Sequence, residues 1–157
     1  GGAGADTISG GGGNDQLVGG AGSDTVTFAD STDAVVVNLS EGTAEGAGSG
    51  SDTLSGFENI TGGAGDDILV GDSSNNRLDG GAGDDTFYIE RQDTVMGGGG
   101  EDVFQTLGWY DAELVLVTAD NYDFATIKYF SRQWQHQRFV DCRSSKRGGG
   151  HLYAGCC

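Results

Sequence analysis

Apolar residues recur every nine positions through the first two-thirds of the chain. Blocks of nine begin at residues 1, 10, 19, 28, 47, 62, 71, 80 and 97, and an eight-residue unit fills 89–96. Position eight of these units reads Ile8, Leu17, Val26, Val35, Leu54, Leu69, Leu78, Phe87, Val95 and Phe104, all apolar. Position six reads Asp6, Asp15, Asp24, Asp33, Asp52, Asp67, Asn76, Asp85, Asp93 and Asp102, so only Asn76 breaks the column. The segment GFENIT at 56–61 reads as a shortened unit with Ile60 in the apolar slot, whereas VNLSEGTAEG at 37–46 fits no unit and reads as an excursion loop.

Each block divides into two kinds of chain. Its last three residues, such as Ile68-Leu69-Val70, favour extended backbone and place one apolar side chain on one face. Its first six are mostly Gly, which accepts tight turns and positive φ. A turn, a short strand, a second turn and a second strand make one coil of a solenoid. Stacked coils line the strands into two parallel sheets and the turns into two edges. The expectation is an all-β fold, a parallel-stranded solenoid over 1–105. A small β-rich cap over 106–141 follows, with strands at 113–116, 125–131 and 138–141. Its expected core is Trp109, Tyr110, Leu114, Leu116, Phe124, Ile127, Tyr129 and Phe130. Residues 142–157 fit neither part and stay unassigned.

Composition sharpens this picture. The 157 residues include 31 Gly and no Pro. Without a period, so much Gly would read as flexible chain. Residues 1–105 carry 19 acidic and 2 basic residues, against 5 acidic and 6 basic in 106–157. A field this negative repels phosphate backbones, so nucleic acid and anionic membrane are poor partners for residues 1–105, and it attracts cations. All three cysteines, Cys142, Cys156 and Cys157, lie near the end, which suits a secreted chain that folds without disulfides. No run of 18 apolar residues is present, so no transmembrane helix is expected. No signal peptide opens the sequence, and the chain reads as the C-terminal piece of a longer protein with an effector domain upstream.

The chemistry follows from what the core lacks. One buried aliphatic side chain is worth about 1.5–3 kcal/mol. Ordering the backbone costs about 1–2 kcal/mol per residue, so one such side chain per nine residues does not hold the coils closed. The turns must bind something, and they offer Asp carboxylates and free carbonyls. These are hard oxygen donors suited to Ca²⁺; Mg²⁺ keeps its waters and a stricter octahedron. No His or Cys precedes His136, which disfavours zinc in the array.

The repeat GGxGxD-x-apolar-x resembles that of the RTX, or haemolysin-type, calcium-binding proteins. The resemblance covers 1–105 and implies a right-handed β-roll in which two repeats make one turn. It also implies several calcium ions, each between the turns of repeats i and i+2. Carried onto this sequence, the implied carboxylate ligands are Asp6, Asp15, Asp24, Asp33, Asp67, Asp85 and Asp102. Asp6 is paired with Asp24, Asp15 with Asp33, Asp67 with Asp85, and Asp85 with Asp102. The implied carbonyl ligands come from Gly2, Gly4, Gly11, Gly13, Gly20, Gly22, Gly63, Gly65, Gly81, Gly83, Gly98 and Gly100. The unit at 71–79 departs from the pattern through Asp72, Ser74 and Asn76, which puts its site in doubt. The family further implies a secreted or cell-surface protein exported by type I secretion machinery.

Other chemistry is poorly supported. No GK[ST] follows any Gly cluster, and the first Lys is Lys128, which argues against a nucleotide loop. His136 and His151 form no HExxH motif, and the regular carboxylate spacing suits ligands better than an acid–base pair. Position three carries no Thr ladder of the kind an ice-binding face would use. No enzymatic activity is expected of this chain. The alternatives are a segment of a surface adhesin, or the non-catalytic C-terminal part of a secreted peptidase or lipase.

Overall fold

A computed structural model describes residues 1–90, 93–106, 116–118, 125–129 and 138–142; in the last three stretches it describes the backbone alone. Among these residues every regular element is a strand. The short strands β1 (Gly2–Gly4) and β4 (Gly20–Gly22) pair within the turns of one edge. A six-stranded parallel sheet runs β2 (Thr7–Ile8), β5 (Thr25–Thr27), β9 (Asn59–Thr61), β11 (Arg77–Ala82), β13 (Thr94–Gly99) and β15 (Leu116–Thr118). Opposite it lies a nine-stranded sheet. Its members in chain order are β3 (Gln16–Val18), β6 (Val35–Asn38), β7 (Thr43–Gly46), β8 (Gly50–Ser55), β10 (Ile68–Val70), β12 (Thr86–Ile89), β14 (Val103–Thr106), β16 (Ala125–Tyr129) and β17 (Arg138–Cys142). The chain alternates between the sheets, as coils of alternating turn and strand require. All-β architecture with parallel sheets is what the nonapeptide period predicts.

The core is the position-eight column. Val26, Leu69, Leu78, Phe87 and Val95 are fully buried, with Ile60 and Phe104 almost so. Parallel register stacks them: Val26 on Ile60 on Leu78 on Val95 in one sheet, and Leu69 on Phe87 on Phe104 in the other. The Phe87 and Phe104 rings stack at 5.0 Å between centroids and 9° between planes. In-register coils put identical positions one strand spacing apart, close enough for such rings to touch.

Two expectations need correction between residues 28 and 55. The segment 37–46 is not a loop. β6, β7 and β8 form an antiparallel meander within the nine-stranded sheet, and it buries Val37 and Ala44 completely. Its alternation of inward and outward residues has period two, which a search for period nine passes over. The unit at 28–36 is also out of phase by two. Val36 pairs with Ile68 and Val37 with Leu69, so Val37 holds the position-eight slot and Val35 the position-six slot. Asp33 therefore lies outside the Asp column and is exposed.

Beyond residue 105 the sheets continue. β15 pairs in parallel with β13, and β16 with β14, before β17 closes antiparallel on β16. The expected side-chain core of the cap and the tail after residue 142 lie outside the described residues.

Candidate metal-binding edges

The position-six side chains line the two turn edges, and most are buried. Asp24 and Asp85 are fully buried, and Asp52, Asp67, Asn76, Asp93 and Asp102 are nearly so. Burying carboxylates this deeply is costly unless each is matched by donors or a cation.

One hydrogen bond repeats along both edges. The backbone N–H at position six of one coil donates to the position-six side chain of the next coil. On the first edge Asp6 donates to Asp24 Oδ1 at 2.8 Å, and Asp24 donates to Glu58 Oε2 at 2.8 Å. Further along, Asn76 donates to Asp93 Oδ1 at 2.9 Å. On the second edge Asp15 donates to Asp52 Oδ1 at 2.9 Å. There Asp67 donates to Asp85 Oδ1 at 2.8 Å, and Asp85 to Asp102 Oδ1 at 3.0 Å. This bond uses one carboxylate oxygen. The other, on Asp15, Asp24, Asp52 and Asp85, is buried without any hydrogen-bond partner.

The glycines at position one make room for the second oxygen of the position-six carboxylates, including Asp67 Oδ2, which accepts from the Gly63 N–H at 2.7 Å. A Cβ on Gly62, Gly80 or Gly97 would collide with Oδ2 of Asp67, Asp85 or Asp102, respectively. The glycines at positions two and four serve the backbone instead. Gly2, Gly4, Gly20, Gly22, Gly81, Gly83, Gly98 and Gly100 all have φ between 99° and 147°, and Gly11 and Gly13 have φ of 77° and 118°. Their turns stack closely. The carbonyls of Gly2, Gly4, Gly63, Gly65, Gly81 and Gly83 abut Gly20, Gly22, Gly81, Gly83, Gly98 and Gly100 of the following coil. Both edges thus present rows of carbonyl oxygens beside buried carboxylates.

Burial pushes the Asp85 carboxyl up to about 8; the neighbouring carboxylates of Asp67 and Asp102 add to the rise, against the hydrogen bond from the Asp67 N–H. Asp67 and Asp93 are raised as well, in both cases chiefly by burial. A cation beside these groups would favour the ionised form and reverse the shift.

The structure brings together Asp6 with Asp24, Asp67 with Asp85, and Asp85 with Asp102. It does not bring Asp15 to Asp33; Asp15 meets Asp52 instead. Glu58 is a column member that the period of nine misses, because the shortened unit 56–61 puts Glu in place of Asp. The visible signal was a carboxylate two residues before Ile60. Asn76 departs in kind: its Nδ2 donates to the Glu58 carbonyl at 2.9 Å and to Asp72 Oδ1 at 3.1 Å. Its Oδ1 accepts from the Asp72 N–H at 2.8 Å, so this rung is closed by protein hydrogen bonds.

Among the described residues no three His, Cys, Asp or Glu side chains converge on one point. A cation here would take its ligands from one or two carboxylates and several carbonyls. That all-oxygen set, with orphaned buried acceptors, fits Ca²⁺. No curated protein sequence matches the chain. The model of the RTX calcium-binding nonapeptide repeat matches in four copies, over residues 1–26, 55–87 and 90–106.

Proposed function

Because the chain belongs, through residues 1–26, 55–87 and 90–106, to the RTX calcium-binding nonapeptide repeat family, we propose that it is a conditional folding module. In this reading the repeats stay open in the low calcium of a cell and close in the high calcium outside it. The module then stabilises or presents a larger secreted parent and carries no catalysis of its own. The support is the set of second carboxylate oxygens on Asp15, Asp24, Asp52 and Asp85, buried without a donor. An ionised carboxylate so placed opposes folding, and a divalent cation makes the same burial favourable. Binding free energy becomes folding free energy.

Charge acts in the same direction. Nineteen acidic residues in 1–105 repel one another along an open chain. An open chain is what export through a narrow type I channel requires, and proteins of this family are typically secreted. The turns accept several ions, on the order of one for each rung in which carboxylates and carbonyls face each other.

Far-UV circular dichroism during a Ca²⁺ titration, with Mg²⁺ as the control, tests the proposal. The expected result is a cooperative change from coil to β structure with Ca²⁺ alone. β structure already complete in EGTA and unmoved by Ca²⁺ would overturn it.

A further inference from the structure

Three turns in the middle of the roll are built differently from the rest. In units 62–70, 71–79 and 89–96 the N–H at position two folds back on the position-six side chain of its own unit. Gly63 donates to Asp67 Oδ2 at 2.7 Å, Asp72 to Asn76 Oδ1 at 2.8 Å, and Glu90 to Asp93 Oδ2 at 2.8 Å. The other carboxylate oxygens are matched from the neighbouring coil. Val35 N–H donates to Asp67 Oδ1 at 2.9 Å, and Asn76 N–H to Asp93 Oδ1 at 2.9 Å. Asp67, Asn76 and Asp93 are therefore buried with a partner for every polar side-chain atom. In the units around them Oδ2 of Asp15, Asp24, Asp52 and Asp85 is buried with none.

The turn backbone differs as well. Gly81 and Gly83 take φ of 105° and 114°, whereas neither Gly63 nor Gly65 has φ in the left-handed range. In unit 71–79 the same two places are held by Asp72 and Ser74, residue types that such a φ disfavours.

The Asn76 amide does the work of an ion. Its Nδ2 donates to the Glu58 carbonyl of the preceding coil at 2.9 Å and to Asp72 Oδ1 at 3.1 Å. A turn carbonyl and a carboxylate are the oxygens that a cation would take at these edges. The two N–H groups of one amide satisfy both without it. The strands beside these turns also carry a fully or almost fully buried core, made of Ile60, Leu69, Leu78 and Val95.

A solenoid can nucleate at one coil and propagate to its neighbours. We infer that the Asn76 amide substitutes for a cation, and that the coils around β9, β10, β11 and β13 form an ion-free seed. Ca²⁺ extends the fold from this seed in both directions, closing the flanking coils that hold the unmatched carboxylate oxygens. The departure of unit 71–79 from the repeat pattern is thus a device that sets where folding starts. The inference rests on calcium being the ligand of the flanking coils.

Hydrogen exchange on the full chain across a Ca²⁺ titration tests it, with 59–61 and 77–79 read against 25–27 and 103–106. The expected result is protection of 59–61 and 77–79 at a Ca²⁺ concentration roughly tenfold lower than the other two segments need, as two hydrogen bonds of about 1 kcal/mol each imply. Simultaneous protection of all four, or earlier protection of 25–27 or 103–106, overturns the inference while leaving calcium as the array's ligand. Exchange unmoved by Ca²⁺ in every segment overturns both. The N76D variant removes the two amide donors and keeps the shape. It is expected to raise the Ca²⁺ concentration that protects 77–79 to the one that protects 25–27. An unchanged titration of 77–79 in N76D overturns the role given to the amide. If N76D fails to reach the unaltered β signal at saturating Ca²⁺, the order of protection in the unaltered chain decides.

Discussion

At the scale of single residues, glycine has two jobs in this repeat, and they respond differently to mutation. At Gly81 and Gly83, φ of 105° and 114° makes any side chain costly. Gly80 lacks that constraint; its Cβ would instead run into Asp85 Oδ2 and the Gly97 carbonyl. Gly80→Ala is expected to destabilise the calcium-bound fold by about 1–3 kcal/mol, the range for overpacking. The check is a higher Ca²⁺ midpoint in the circular dichroism titration. Asp85 supplies a second prediction. Without cation, folded Asp85 holds its proton up to about pH 8, whereas the unfolded chain releases it near 3.8. Between those values the folded state binds more protons, so stability falls as pH rises. Acidifying the chain in EGTA across that window is expected to increase β structure, and Asp85→Asn to flatten the response. Loss of β signal on acidification would contradict this sign.

At the scale of elements, the meander β6–β8 separates what burial needs from what the repeat needs. Val37 is fully buried in the position-eight slot, while its neighbour Val36 is 44% exposed. Val37→Asp is expected to disrupt the coil, since a buried unpaired charge costs several kcal/mol. Val36→Asp is expected to shift stability by under about 0.5 kcal/mol, as surface changes usually do. Thermal unfolding in saturating Ca²⁺ distinguishes the pair; equal effects would refute the register. Elsewhere the strands are two to six residues long and too short to persist alone. They hold because each coil lies in register on the next.

At the scale of the whole molecule, stability is a sum over neighbouring coils, as in other solenoids. The net charge of −16 opposes that sum until cations are present. Screening alone is not an equivalent remedy. Salt at 0.1 M shortens the reach of exposed charges to about 10 Å but supplies no ligand to a buried carboxylate oxygen. Ca²⁺ is therefore expected to contract the hydrodynamic radius sharply, and NaCl at equal ionic strength to leave it largely expanded. Light scattering or size-exclusion chromatography measures this directly.

The repeating columns were legible in the sequence because a stacked coil imposes one period on both its core and its edges. Position eight, position six and the glycine turns could all be read before any coordinate. So could the oxygen-rich chemistry that suits calcium. Which coil lies on which could not be read once the period failed, because stacking across 28–55 is decided by sheet pairing. That pairing put Val35 and Val37 in the slots assigned to Asp33 and Val35, brought Asp52 to Asp15, and placed Glu58 in the Asp column. Each depends on contacts between residues 32 to 37 positions apart. Spacing along the chain fixes what a coil contains; only the packed sheets fix its neighbour.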